Sequence, residues 1–283
     1  MHSITIPATT VAIWRVKMDS VIAGIIRRLE KLERISQRLR ARDALQVSVD
    51  PVLRLTGLRG CWPMDAFDSS GDAQDCSGHG HHLGYNGNPV YSYDGLAPYI
   101  ALDGTGDYLD RGDEADFDIL GTESYVSVPG LTMGGWFYPE DDTTDQHLIG
   151  KWNGVGNYSY VLRLRGDVAS DPARFYISDD GTNTDSVSIT GIVVDTWYFI
   201  AGRYNDADAG EELKVWLNAD NETAATARNS IFNSNADFTV GAVSGGGSGL
   251  YTGRASHCWL CAAALSDECI HAIFQQQRSL FGV

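Results

Sequence analysis

No stretch of the chain gathers about 18 consecutive apolar residues, the length a helix needs to cross a bilayer, so no membrane span is expected. Cysteine is scarce and odd in number: Cys61, Cys76, Cys258, Cys261 and Cys269 are the only five in 283 residues, which excludes a fully paired disulfide scaffold. Positive charge is also in short supply, with 21 Lys and Arg against 37 Asp and Glu and a formal net charge of −16. The shortage is local. Residues 1–60 carry 11 bases against 5 acids, and residues 61–283 carry 10 against 32. A region that acidic repels phosphate backbones, so nucleic acid is not expected as its partner. The opening "MHSITIPATTVAIWRVKMDS" lacks a basic stretch followed by an apolar core, so a secretory leader is not expected either.

What remains is an ordered, turn-rich chain, 43% apolar with 31 Gly and 13 Tyr, long enough for one sizeable core and an appendage. Residues 1–17 alternate modestly around Pro7 and read as an extended arm with apolar Ile4, Ile6, Val11, Ile13 and Trp14 available for anchoring. Residues 18–46 read as a helix. Ile22 and Leu29 at a, with Ile25, Leu32 and Leu39 at d, give the three-and-four spacing of a coiled coil, and Ile at both positions leans toward a trimer. The competing reading is an amphipathic helix packed on its own domain. Residues 47–59 are expected to be a linker through Pro51, and residues 60–283 form the main domain.

From Gly60 onward, short β-rich segments alternate with Gly, Asp and Asn turns, the pattern of a two-sheet sandwich or barrel. In "ELKVWLN", Leu213, Val215 and Leu217 face one way while Lys214, Trp216 and Asn218 face the other. Ser266 is placed as the N-cap of a closing helix whose inward stripe is Ile270, Ile273 and Phe274. The cysteines admit three readings: buried thiols, a disulfide joining the two ends of the domain, or a zinc site built on "HCWLC".

The order of "GCWPMD", "DCSGHGHHL", "YIALDGTGDYLD", "LTMGGWFYPE", "HLIGKW", "DTWYFIAGRYND", "LKVWLN", "FTVG" and "GRASHCWLCAAALSDECIHAIF" resembles the laminin-G-like jelly rolls of the concanavalin A-like lectin/glucanase superfamily, over roughly residues 60–275. Two positions depart from that pattern: Ala219 stands where Gly usually follows Asn218, and Ser256 or His257 where Asp is common. The resemblance implies a mainly β fold, a two-sheet antiparallel jelly-roll sandwich; the arm and the coiled coil read from the residues precede it. It also implies glycan or protein binding, frequently with calcium at the sheet rim, or glycosidase activity.

A glycosidase needs two carboxylates flanking the scissile bond. The nearest set is Glu114, Asp116 and Asp118 in "EADFDIL", expected to be a solvated edge segment; with no nucleophile elbow or phosphate loop elsewhere, no enzyme activity is expected. The candidate calcium ligands are Asp141, Asp142 and Asp145 in one loop and Asp206 and Asp208 in another, because hard cations take clustered oxygens. A glycan site pairs an aromatic face with amides, which selects Trp152, Asn153, Asn157 and Tyr158, and also Trp216 with Asn218. "HGHH" is expected to be a solvated turn. An arm, a multimerising helix and a terminal globe together fit a bacteriophage virion protein, a capsid decoration or a fibre. Its arm would dock to a capsid or tail protein, and its trimeric lectin-like domain would stabilise the particle or grip host glycans at the virion surface. The alternatives are a glycan-degrading enzyme or carbohydrate-binding module, and a cement protein without ligand.

Overall fold

The computed structural model describes residues 51–66, 71–124, 126, 128–170 and 172–283. The expected arm at 1–17 and the coiled coil at 18–46 lie outside the described residues. Of the expected linker 47–59, residues 47–50 lie outside the described residues, and 51–59 belong to the domain: Pro51–Arg54 form a 3-10 turn, Val52 is buried, and the first strand already begins at Leu58.

The strands, in chain order, are β1 (Leu58–Trp62), β2 (Gly84–Asn86), β3 (Val90–Asp94), β4 (Ala97–Asp103), β5 (Tyr108–Arg111), β6 (Leu131–Pro139), β7 (Asp145–Trp152) and β8 (Tyr158–Arg165). They continue as β9 (Ala173–Ile177), β10 (Asp185–Ile189), β11 (Tyr198–Tyr204), β12 (Leu213–Leu217), β13 (Asp220–Ala224), β14 (Phe238–Val240) and β15 (Thr252–Cys261), and helix α1 (Asp267–Phe281) closes the chain. One sheet has eight strands in the order β13-β12-β11-β6-β15-β4-β3, with β1 also paired to β15; the other has seven, in the order β10-β9-β8-β7-β14-β5-β2. All the pairings are antiparallel, and the two sheets form the expected jelly-roll sandwich.

Period-two alternation sorts the inner strands of the eight-stranded sheet between two buried layers, while the edge strands β3 and β13 stay largely exposed. Met133 and Phe137 of β6 and Ile200 of β11 enter the core shared by both sheets, along with Leu213, Val215 and Leu217 of β12. On the other face, Trp136, Phe199 and Trp259 pack against Ile270, Ile273, Phe274 and Phe281 of α1. That second layer explains why Trp216, placed with the exposed aromatics from its sequence, is 3% exposed. Helix α1 begins as expected at Ser266, whose hydroxyl accepts from Cys269 N–H, and ends at Gly282 in the left-handed region.

Strand β15 pairs with β4 through Thr252–Ala255 and with β1 through Cys258–Cys261, while β6 flanks both halves. Its register against β6 slips by one between Ser256 and Trp259, where His257 has φ +44°. This bulge reverses the parity, so that Ala255 and Cys258 both face the inter-sheet core. Cys261 falls on the helix side. Cys258 and Cys261 therefore lie on opposite faces, which rules out a shared zinc; neither forms a disulfide, and burial pushes the Cys258 thiol up and the Cys261 thiol up to about 12.

The "DCSGHG" turn is built around Asp75. Its Oδ1 accepts from the backbone N–H of Cys61 (3.0 Å) and Ser77 (2.8 Å), and its Oδ2 accepts from the Ser77 hydroxyl (2.7 Å) and His81 N–H (3.0 Å). Gly78 and Gly80, at φ +92° and +78°, supply the reversal. His81 is not solvated: it is 6% exposed, its Nδ1–H donates to the Arg59 carbonyl (2.8 Å), and its ring packs against Phe117. Burial raises the Asp75 carboxyl, but the Ser77, Cys61 and His81 hydrogen bonds outweigh it and hold the group below the usual carboxylate range. A carboxyl depressed in this way adds stability that is complete above the unfolded value and disappears as pH falls through the lower folded one. We predict that Asp75→Asn costs about 1–3 kcal/mol near neutral pH. Denaturant midpoints measured at falling pH should converge with those of the parent protein in acid.

Candidate functional site

The seven-stranded sheet has no helix among the described residues on its outer face, and a separate aromatic cluster gathers there: Trp152, Val161 and Tyr176, with Tyr158 packed against them. Trp152 ends β7 and Tyr158 begins β8, so the hairpin 153–157 brings the two rings into a parallel stack at 4.4 Å and 12°. Tyr176 of β9 lies opposite Val161 in the ladder and tilts toward Trp152 at 6.0 Å. Trp152 is only 5% exposed, so it supports Tyr158 from beneath; the partly exposed Tyr158 is the ring available to a ligand. Asn153 and Asn157 sit on the hairpin, whose tip carries Val155 at 73% exposure. Asn153 Oδ1 accepts from Gly154 N–H (2.7 Å), and Asn157 Oδ1 accepts weakly from Asn235 N–H (3.3 Å).

Arginines, which the sequence reading did not single out, border this patch. Arg163 and Arg165 of β8 and Arg174 of β9 project from the same face, with Arg163 and Arg174 directly opposed in the ladder. Their guanidinium carbons lie 5.3 Å (Arg163) and 5.7 Å (Arg174) from the Tyr176 ring centre. The Tyr176 hydroxyl accepts from Arg165 (2.6 Å) and Arg174 (3.2 Å). The missed signal was "VLRLR" followed by "ARFY", in which the Arg positions alternate with the core residues of two adjacent strands. The second aromatic pair is not brought to this face. Trp216 is covered by Arg203 and Lys214 in the helix-side layer, and Asn218 spends its side-chain oxygen on Phe199 N–H (2.9 Å).

An open cleft of 580 Å³ lies at the start of α1, lined in part by Arg203, Lys214, Asp208 and Asp267. Its cations are neutralised from within: Arg203 donates to Asp208 (2.6 Å) and Asp267 (2.9 Å), and Lys214 donates to Asp267 (2.8 Å). It therefore offers less to a ligand than the arginine-bordered patch.

The laminin G family model described as the concanavalin A-like lectin/glucanases superfamily matches residues 103–271, more than half of the chain. The chain belongs to this superfamily. No curated protein matches the sequence. Among solved structures, the botulinum neurotoxin serotype G binding domain superposes with a TM-score of 0.61 at 10% identity, covering 78% of this chain and 51% of that one. Domain 4 of AbnA, a GH43 extracellular arabinanase from Geobacillus stearothermophilus in complex with arabinotriose, gives 0.54 at 16% identity, with 77% and 98% covered. The botulinum neurotoxin serotype D ligand binding domain in complex with N-acetylneuraminic acid gives 0.56 at 12%, with 82% and 52% covered. The chain thus spans about half the length of the neurotoxin domains. Likeness at these identities establishes the jelly-roll fold alone.

The calcium that the superfamily resemblance implies does not fit the loops selected for it. Asp141 accepts from the Thr143 and Thr144 hydroxyls, and Asp145 pairs with Arg163. Asp208 is held by Arg203, and no set of three or more His, Cys, Asp or Glu side chains suited to a metal occurs among the described residues. Asp142 and Asp206 are thus left without partner ligands for a cation cage.

Glu114, Asp116 and Asp118, expected on a solvated edge segment, instead lie at a 3-10 turn, Ala115–Phe117, with Asp116 inside it and Glu114 and Asp118 at its two ends. Glu114 pairs with Arg111 (2.6 Å), and both Glu114 and Asp116 face His81 Nε2 at 3.4 and 3.3 Å. Asp118 and Asp113 hold the fully buried Lys151. We predict that Lys151→Ala destabilises the domain by about 3–5 kcal/mol in equilibrium unfolding, because it strands both carboxylates, and that Lys151→Met costs less because it keeps the packing volume.

Proposed function

We propose that this protein is a non-enzymatic glycan-binding protein whose ligand stacks on Tyr158 at the outer face of the seven-stranded sheet. The observation that carries this reading is the Trp152–Tyr158 stack, which fixes an amphipathic ring, on a face without a helix among the described residues, beside hydrogen-bonding Asn157 and the three arginines. A rigid, partly exposed tyrosine presents apolar area at low entropic cost, and the polar groups around it orient sugar hydroxyls. Catalysis is disfavoured because Glu114, Asp116 and Asp118 are each engaged by cationic or histidine side chains. Calcium has no part in this mechanism, and the acidic domain disfavours nucleic acid as a partner.

The finer setting we propose is a bacteriophage virion. In it, residues 1–17 anchor the chain to a capsid or tail protein, and residues 18–46 bundle three copies through Ile22, Ile25, Leu29, Leu32 and Leu39. This rests on the heptad spacing and on the basic character of residues 1–60 ahead of an acidic domain. Three linked weak sites gain avidity of about 10²–10⁴ without new contacts. Native mass measurement should give a trimer for the full chain; a monomer would remove the avidity argument.

Glycan-array screening followed by titration of the full chain tests the binding site. Tyr158→Ala should weaken saccharide binding about tenfold, near 1.4 kcal/mol, while leaving the unfolding midpoint close to the parent value. Failure of the parent protein to bind any saccharide, or release of reducing ends from a polysaccharide, would overturn the reading. Silence on the array favours the cement protein, and turnover favours the glycan-degrading enzyme.

A further inference from the structure

We propose that the outer face of the seven-stranded sheet selects an acidic oligosaccharide, with the carboxylate of a uronic or sialic unit paired to Arg174 while another unit stacks on Tyr158. This inference rests on the glycan-binding reading above and names its ligand class. The starting point is charge accounting in a region that holds 10 bases against 32 acids. With acids in such excess, the cations on this sheet and beside it are answered by carboxylates: Arg163 by Asp145, Arg165 by Asp167, Lys151 by Asp113 and Asp118, and Arg228 by Asp179. Arg174 is different. Among the described residues its side chain donates to the neutral Tyr176 hydroxyl, its Nε is buried without a hydrogen-bond partner, and no carboxylate pairs with it.

The position of Arg174 compounds the imbalance. In the β8–β9 ladder it stands directly opposite Arg163, and both guanidinium groups lie against the same Tyr176 ring. Like charges opposed across strands are destabilising, and the one carboxylate among the described residues that pairs with either, Asp145, is drawn to Arg163 and Arg165. Arg163 Nε is buried without a hydrogen-bond partner too. An anion set against Arg163 and Arg174 relieves the repulsion, and it meets the terminal N–H groups of Arg174 beyond the one given to Tyr176. A planar carboxylate matches the guanidinium fork in two parallel hydrogen bonds.

The patch is continuous with the stacking ring. Tyr176 contacts both the arginines and Trp152, which supports Tyr158. From Tyr158 to Arg163 is five residues of strand, roughly 16 Å at about 3.3 Å per residue, so the two anchors call for an oligosaccharide rather than a single sugar. The surrounding acidic surface supplies the specificity: it repels long polyanions generally, and only a carboxylate placed at Arg174 finds a compensating charge.

Titration calorimetry of the full chain with oligogalacturonate, oligosialic acid, neutral arabino-oligosaccharide and sulfated dextran tests the proposal. Each ligand should be run at low and high salt and with Arg174→Gln, Arg174→Lys and Tyr158→Ala, all checked for unchanged unfolding midpoints. The expected result is binding of a carboxylated oligosaccharide that weakens at least tenfold in Arg174→Gln, recovers only in part in Arg174→Lys, and falls as salt rises. Neutral ligand should bind more weakly and ignore the Arg174 variants. Equal affinity for neutral and carboxylated ligands, or carboxylate binding indifferent to Arg174→Gln, overturns this inference and leaves the Tyr158 reading standing. Binding of sulfated dextran alone overturns the carboxylate assignment, and no binding of any saccharide overturns both readings.

Discussion

The architecture depends on one strand that must satisfy three neighbours. β15 bonds to β6 along its length, to β4 with its first half and to β1 with its second, so the eight-stranded sheet is stitched together at this strand. Three partners cannot share one uninterrupted ladder. The bulge at His257 resolves the conflict by inserting one residue, which hands β15 from β4 to β1 and turns its side chains over. Ser256, at the same point, ties the break to the Pro98 carbonyl of β4. Ser256 and His257 are thus the residues that carry the handover.

A second constraint is electrostatic. A domain with a threefold excess of acid has to place each carboxylate where it is useful, and two uses recur. Some carboxylates hold turns, as Asp75 does for "DCSGHG" and Asp180 does by accepting from Thr182 and Asn183. Others neutralise cations at the edge of the core, as Asp113 and Asp118 do for Lys151. These roles account for most of the acidic clusters that look, in one dimension, like metal cradles or catalytic pairs. They also make the local surplus of arginine around Tyr176 the feature of the surface that stands apart.

The division of labour between the two sheets follows from burial. The eight-stranded sheet is covered by α1, so its outward aromatics, Trp136, Phe199 and Trp216, are structural. The seven-stranded sheet has no such cover among the described residues, and its outward aromatics lie where a ligand can reach the one that is only partly buried. Which sheet bears the helix therefore decides which aromatic cluster is left uncovered among the described residues.

Much of the fold was legible in one dimension because it is written in local patterns. Alternation in "ELKVWLN", the Ser266 cap, the Ile270, Ile273 and Phe274 stripe, and the sequence of turn motifs each reflect a period or a turn geometry that a few neighbouring residues impose by themselves. Trp152 and Tyr158 could be paired for the same reason, since a short hairpin necessarily brings its flanking residues together. The burial of Trp216 and His81, the separation of Cys258 from Cys261 across the sheet, and the meeting of Arg163 with Arg174 were decided only in three dimensions. Each depends on strand register or on which element covers a face, and those are set by contacts between residues far apart in the chain.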